Sequence, residues 1–108
     1  MPPFDPVLLD TTIHGPVRLG VLAALQVDSM LDFTTLKKRL GVSDGALGLH
    51  LKKLETAGYI SSSKAFVGQR PRTTYKLVSK GQRAFAVYLD QLQELLDTVQ
   101  NAVGRDLL

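Results

Sequence analysis

The stretch Leu40–Gly58, LGVSDGALGLHLKKLETAG, decides the fold that this chain can form. Gly41 can end one helix in a left-handed conformation, and Ser43 can cap the next, with Asp44 in the first turn where the helix dipole favours a carboxylate. The leucines at the helical spacing of three and four residues predict the buried stripe of this helix, Leu47, Leu51 and Leu54. Two helices joined by three residues form a helix-turn-helix.

The segments on either side extend this unit. Gly15-Pro16 predicts a helix start, because proline suits the first helical position, and the helix is expected over 16–26. A short helix over 36–40, capped by Thr34 or Thr35, precedes the turn. Residues 59–67 and 73–78 read as two strands around a turn at 68–72, with a third short strand over 31–33.

A long helix closes the chain. Ser79 and Gln82 have the spacing of a capping box, and the apolar pattern continues to about residue 103. Phe85 and Tyr88 are expected to pack on their own domain. The second half of the helix has nothing of that domain to cover, so we expect it to form a homodimer through Leu92, Leu95, Leu96, Val99 and Val103.

Composition and charge limit the function. The chain of 108 residues is 44% hydrophobic, which is enough for one domain with one core. Eleven basic and two acidic residues lie between Lys37 and Arg83, so that segment carries +9 and the remainder −6. A basic middle between acidic ends predicts a surface for a polyanion.

Other classes are disfavoured. The chain has no cysteine, which excludes a disulfide scaffold, a thiolate metal site and a cysteine nucleophile. Its two histidines, with no clustered acids, do not predict a metal site, and we expect no cofactor and no catalysis. No run of about 18 apolar residues predicts a membrane span, and the first residues are unlike a signal peptide, so a cytoplasmic protein is expected.

The order of helix, helix-turn-helix, two-stranded hairpin and long helix resembles the small stand-alone winged-helix transcription regulators of the MarR and ArsR kind. The resemblance covers about residues 8–96. The segments that carry it are residues 13–19, 33–36 and 40–47, the run HLKKLETAGYI at 50–60, and FVGQRPRTTY at 66–75. It implies a mostly helical α+β fold: an arm over 1–14, a winged-helix core with a two- to three-stranded sheet over 15–78, and a dimerisation helix over 79–104.

The resemblance also implies a function: a dimeric DNA-binding regulator, by analogy a repressor, with helix 43–57 in the major groove and the wing at 68–73 in the minor groove. We expect phosphate contacts, the wing and DNA shape to carry much of the binding. The predicted DNA-binding residues are Ser43, Asp44, Gly45, Gly48, Leu49, Lys52, Lys53, Lys64, Arg70, Arg72 and Lys76.

Two alternatives stay open. Leu49 and Gly48 stand where related proteins often carry polar readers, so Leu49 either touches a thymine methyl or packs against protein, such as the N-terminal arm. A winged-helix module that binds protein is therefore one alternative. A regulator with a small-molecule effector at the dimer interface is the other.

Overall fold

A computed structural model describes residues 9–107 of the chain, with side chains described as far as residue 104. The first eight residues of the predicted arm lie outside this range. Within it are four helices and a three-stranded antiparallel sheet, as the sequence predicts. Their bounds are α1 Pro16–Asp28, β1 Met30–Asp32, α2 Phe33–Leu40, α3 Asp44–Thr56, β2 Ile60–Val67, β3 Arg70–Leu77 and α4 Ser79–Leu107.

One hydrophobic core joins all of these elements except the outer half of α4. The predicted stripe of α3 is fully buried against α1, and Leu36 of α2 joins it. From the arm, Leu9 and Ile13 pack into the same core, so this part of the arm covers its own domain. The remaining buried residues are Val21, Leu22, Leu25, Leu31, Ile60, Phe85 and Tyr88.

The helix-turn-helix forms as predicted at the turn but begins differently. Gly41 takes a φ of 64°, and the Ser43 hydroxyl oxygen accepts from the Ala46 N–H at 3.2 Å. The predicted caps Thr34 and Thr35 are wrong, since both lie inside α2 and the cap is Asp32, whose carboxylate accepts from the Thr35 N–H at 2.8 Å. Because this cap starts α2 at Phe33, β1 ends one residue earlier than predicted.

The returning strand of the hairpin begins three residues earlier than predicted, so the turn is tighter. Val67 pairs with Arg70, which leaves Gly68 and Gln69 as a two-residue turn. Gly68 has a φ of 67°, the left-handed geometry that tight hairpin turns need. Pro71 is tolerated inside β3 because β1 pairs only with residues 74–76, so no strand of the sheet lies on the open side of Pro71.

The sheet has the order β1-β3-β2, and α4 follows it at once. Val78 donates its N–H to the Tyr59 carbonyl at 3.1 Å, and its own carbonyl accepts from Gln82 at 2.9 Å. Ser79 is therefore the first helical residue rather than the predicted cap. Gly81 packs so tightly on Tyr59 that a Cβ there would lie 2.0 Å from the Tyr59 carbonyl oxygen.

Candidate nucleic-acid interface

The outward face of α3 is opposite its buried leucines and is largely free of side-chain cover. Gly45 and Gly48 lie on this face, and a Cβ built on either would meet nothing within 4 Å. Leu49, beside them, keeps 55% of its surface exposed. The face is therefore a shallow, bare strip of helix, open to the close approach of another molecule.

Charged side chains lie at both ends of this strip. Lys52 and Lys53 are exposed on the last turns of α3. At the first turn, Asp44 is held by Lys37 of α2, with 2.8 Å between the ammonium and the carboxylate. This exposed pair offsets the one acidic side chain at the start of α3, where the exposed Ser43 hydroxyl and the helix N-terminus could meet a phosphate.

A network around Arg18 fixes α3 against the arm. The Arg18 guanidinium donates to the Thr12 carbonyl at 2.5 Å and to the Thr11 carbonyl at 3.2 Å, and its Nη1 lies 3.0 Å from His50 Nδ1 on α3. Burial lowers the pKa of His50, and the nearby charges of Arg18 and Lys53 lower it further. His50 is thus a packed, hydrogen-bonded residue, and the arm lies along one side of the α3 face.

The second histidine, His14, and Asp10 of the arm have structural partners too. His14 Nδ1 lies 2.8 Å from the hydroxyl oxygen of Tyr88 on α4. Asp10 accepts a hydrogen bond from the Tyr59 hydroxyl, and this bond together with burial raises the pKa of Tyr59 to about 12. These contacts tie the arm to both α4 and the sheet.

The predicted wing cations divide between the two faces of the hairpin. Along a strand, alternate residues share a face, and residues paired across the hairpin share it too. Lys64 is on the face that meets α3, because Ser62, two residues earlier, donates to the Glu55 carboxylate at 2.9 Å. Arg70 and Arg72 lie on the opposite face, close to the tip.

Lys64, Arg70 and Arg72 nevertheless border one groove. Its volume is about 730 Å³, and it lies between the hairpin and the start of α2, where Thr34 and Thr35 also line it. Lys76 is separate from them: it pairs with Met30 and Ser61 at the base of the sheet and borders a different groove beside α1. The structure thus brings together all the predicted wing cations except Lys76.

Asp32 joins the wing to the helix-turn-helix, a role that the sequence reasoning missed. One carboxylate oxygen caps α2, and the other lies 3.3 Å from the Arg72 Nε. The hydrogen bonds from Thr35 hold the pKa of Asp32 below its usual range, and Arg72 and Lys38 lower it further. The pattern Asp32-x-x-Thr35 was a visible capping signal, but the pairing with Arg72 depends on the strand register.

The predicted dimer residues lie on the part of α4 that leaves the domain. Leu92 packs at the edge of the core, and Leu95 is half-buried. Leu96, Val99 and Val103 are about half exposed, at 44%, 50% and 51%. With 29 residues, α4 is roughly 43 Å long, and its outer half presents this apolar stripe to solvent.

A helix-turn-helix followed by a two-stranded wing, with an exposed basic helix face, defines a winged-helix protein of the kind that binds DNA. The chain belongs to the winged helix DNA-binding domain family, whose model matches residues 17–96. This confirms the predicted fold and the resemblance to winged-helix regulators. None of the helices within residues 9–107 combines the length and apolar character that crossing a membrane requires.

Individual proteins are similar to this chain in sequence or in fold. An uncharacterized protein of Methanocaldococcus jannaschii is 34% identical over 87 residues, covering 81% of this chain and 95% of its own. A transcriptional regulator homologue from Pyrococcus horikoshii OT3 superposes with a TM-score of 0.76 at 27% identity, covering 82% of this chain and 87% of that one. A protein assigned to the MarR family of transcriptional regulators from Enterococcus faecalis V583 shares the fold, with a TM-score of 0.70 at 23% identity over 88% and 84% of the two chains.

Proposed function

We propose that this chain is a dimeric transcription regulator that places α3 in the major groove of duplex DNA and residues 68–73 of the wing in the minor groove. The observation that carries the proposal is the α3 face. Gly45 and Gly48 leave it bare, while Lys52 and Lys53 flank it. Within residues 9–104 neither of these lysines forms an ion pair, so both are available to phosphates.

Electrostatics supplies most of the affinity in this proposal. Lys52, Lys53, Lys64 and Arg70 reach phosphates on either side of α3, and each contact releases a counterion from the duplex. Leu49 offers only an apolar contact to base edges, such as a thymine methyl. Selectivity therefore comes from DNA shape and the wing more than from hydrogen bonds to bases.

The salt dependence of binding tests the wing. We expect Arg70→Gln to weaken binding to all duplexes and to reduce the slope of log K against log salt by about 0.9 for each phosphate that is no longer neutralised, or twice that for a dimer. Arg83→Gln is the matched control, since it removes the same charge from α4, where Arg83 borders a groove with Leu9 and Val87. An unchanged slope in Arg70→Gln would refute the wing contact.

The dimer is proposed to form through the outer half of α4. Leu96 keeps 44% of its surface exposed in the single chain, and covering it would contribute about 1 kcal/mol per copy, from the 1.5–3 kcal/mol of a fully buried side chain. Because Leu96 of both copies lies in a two-fold symmetric interface, Leu96→Ala should weaken the dimer by about 2 kcal/mol in total, which raises the dimer Kd by roughly thirtyfold. Sedimentation equilibrium measures this, with the exposed Val27→Ala as a control outside α4.

A dimer fixes the geometry of the DNA site. Two α3 helices that read successive major-groove faces lie about 34–36 Å apart, which requires a palindromic site with half-sites one turn apart. Selection of bound duplexes from a random pool tests this arrangement directly. Selected sequences without two-fold symmetry would contradict it. Repression, which the likeness to small winged-helix regulators favours, is tested by a reporter placed behind the selected site.

The second candidate is a module that binds protein through the α3 face. The exposure of Leu49 at 55%, in a groove shared with Thr11 and Thr12 of the arm, is the observation that favours it. Fluorescence anisotropy with a labelled duplex at about 100 mM salt separates the two candidates. Absence of binding to the whole random pool would exclude the first.

A small-molecule effector would add regulation to the first candidate. The groove between the arm and α4, bordered by Leu9, Ala84 and Val87, is the place where such a ligand would contact both the core and the dimerisation helix. A thermal-shift screen tests it, because a ligand that binds only the folded state raises the Tm.

A further inference from the structure

The tip of the wing carries an apolar pair that the proposed phosphate contacts do not use. Phe66 is 75% exposed, the most exposed aromatic side chain among the described residues. It is paired directly across the hairpin with Pro71, which is also exposed. The two-residue turn Gly68-Gln69 begins only two residues further on, so no long loop lies beyond the pair.

The pair lies on the face of the hairpin that meets α3. Pairing from Ile60–Leu77 to Val67–Arg70 is continuous, so the alternation of faces holds along the whole hairpin. Ile60 is buried in the core and Ser62 bonds to Glu55 of α3, and Phe66 shares their face. At about 3.3 Å per residue, Phe66 is roughly 13 Å further along the strand than that contact with α3.

The charge around Phe66 indicates the partner. The hairpin Ile60–Leu77 contains four cations and no acidic residue, and three of the cations lie near the tip: Lys64, Arg70 and Arg72. An exposed apolar side chain with cations on both faces of the same hairpin tip fits a polyanion that has apolar surface between its charges. The sugar walls and base stack of the DNA minor groove have that character.

We propose that Phe66, backed by Pro71, is an apolar wedge that enters the minor groove and partly unstacks a base step there. This inference rests on the proposed DNA-binding function and gives the wing a specific means of reading DNA shape. Phenylalanine and proline both serve as wedges of this kind, and they favour flexible pyrimidine–purine steps such as TA. The wing would then select sequence through the deformability of one step and not through base hydrogen bonds.

The test compares Phe66→Ala with wild type on the same selected duplex. Removing the ring should lower the affinity roughly tenfold per wing, and so roughly a hundredfold for a dimer in which both wings bind. The salt slope should stay unchanged because every phosphate contact is kept. The bend of an end-labelled duplex, measured by energy transfer, should decrease. Phe66→Leu should retain the bend, since leucine is also a wedge residue.

Val67→Ala is the matched control, since Val67 is exposed next to Phe66 but lies on the opposite face of the hairpin. Unchanged affinity and bend in Phe66→Ala would overturn the wedge. So would a fall in the salt slope equal to that of Arg70→Gln, which would make Phe66 only a support for Arg70. If wild type binds no duplex at all, the proposed function itself fails, and this result is distinct from the other two.

Discussion

We predict that Gly48 lowers the stability of the fold but favours DNA binding, and one substitution can measure both effects. It lies inside α3, and a Cβ built on it meets nothing within 4 Å. Glycine in the interior of a helix is about 1 kcal/mol less favourable than alanine, mainly because it loses more backbone entropy on folding. Gly48→Ala should therefore stabilise the fold by about 1 kcal/mol, which raises the Tm by roughly 4 °C in a domain of this size.

DNA binding should change in the opposite direction. If the duplex lies against the bare strip of α3, the added methyl group occupies space that the DNA needs. Overpacking of a close contact costs about 1–3 kcal/mol, so the affinity for the selected duplex should fall roughly five- to 150-fold for each copy of α3 that contacts DNA. The methyl group removes no charge, and the salt slope should therefore stay as in wild type.

Two measurements on one purified variant decide the matter: thermal unfolding by circular dichroism and binding by fluorescence anisotropy. Gly104→Ala is the control, because Gly104 is an exposed glycine of α4 that also has nothing within 4 Å. It should not lower the Tm and should leave DNA binding unchanged. A higher Tm with unchanged affinity in Gly48→Ala would refute the contact between this face and DNA.

Two further predictions concern packing and the wing. Gly81→Ala should destabilise the protein by about 3 kcal/mol or more in urea unfolding, because its Cβ would lie 2.0 Å from the Tyr59 carbonyl oxygen, a backbone atom that cannot move aside cheaply; wild-type stability would contradict this packing. Asp32→Asn should keep the α2 cap but release Arg72, lowering the ratio of specific to non-specific DNA affinity with little loss of stability at pH 7. The folded protein holds the pKa of Asp32 below its ordinary value of 3.8, so the charged carboxylate stabilises the fold above about pH 4 and less as the pH falls. The difference in unfolding free energy between wild type and Asp32→Asn should therefore narrow below about pH 4.

The sequence predicted the elements that depend on local patterns. The leucine spacing of α3, the left-handed Gly41 and the Ser43 cap all form as expected, because each is determined within a few residues. The errors occur where strand pairing competes with local signals. Gly68-Gln69-Arg70-Pro71-Arg72 reads as a loop from its composition, yet pairing of Val67 with Arg70 draws three of those residues into β3.

In the candidate site, too, the sequence predicted the features that depend on local patterns but not those that depend on strand pairing. That the α3 face would be exposed followed from helical periodicity once its buried side was known. The sequence did not predict which face of the hairpin each wing cation occupies, because a change of one residue in the strand register exchanges every side chain between faces. The sequence shows that a phenylalanine lies in this strand, but it does not show that Phe66 is exposed. Which side chains of an eight-residue strand stay uncovered depends on the elements that pack beside it.

Asp32 connects the helix-turn-helix and the wing, the two parts of the molecule that are proposed to contact DNA. It ends β1, caps α2 and pairs with Arg72 of β3, so the start of the helix-turn-helix and the wing share a single carboxylate. The Arg72 Nε faces Asp32, which orients the plane of the guanidinium. If the wing contacts DNA as proposed, the pairing with Asp32 reduces the entropy that the Arg72 side chain loses on binding. Changes at Asp32 and Arg72 should then be non-additive in their effect on specificity. In the proposed complex, the same link helps to position the wedge at Phe66 relative to α3, which favours reading the deformability of one particular base step.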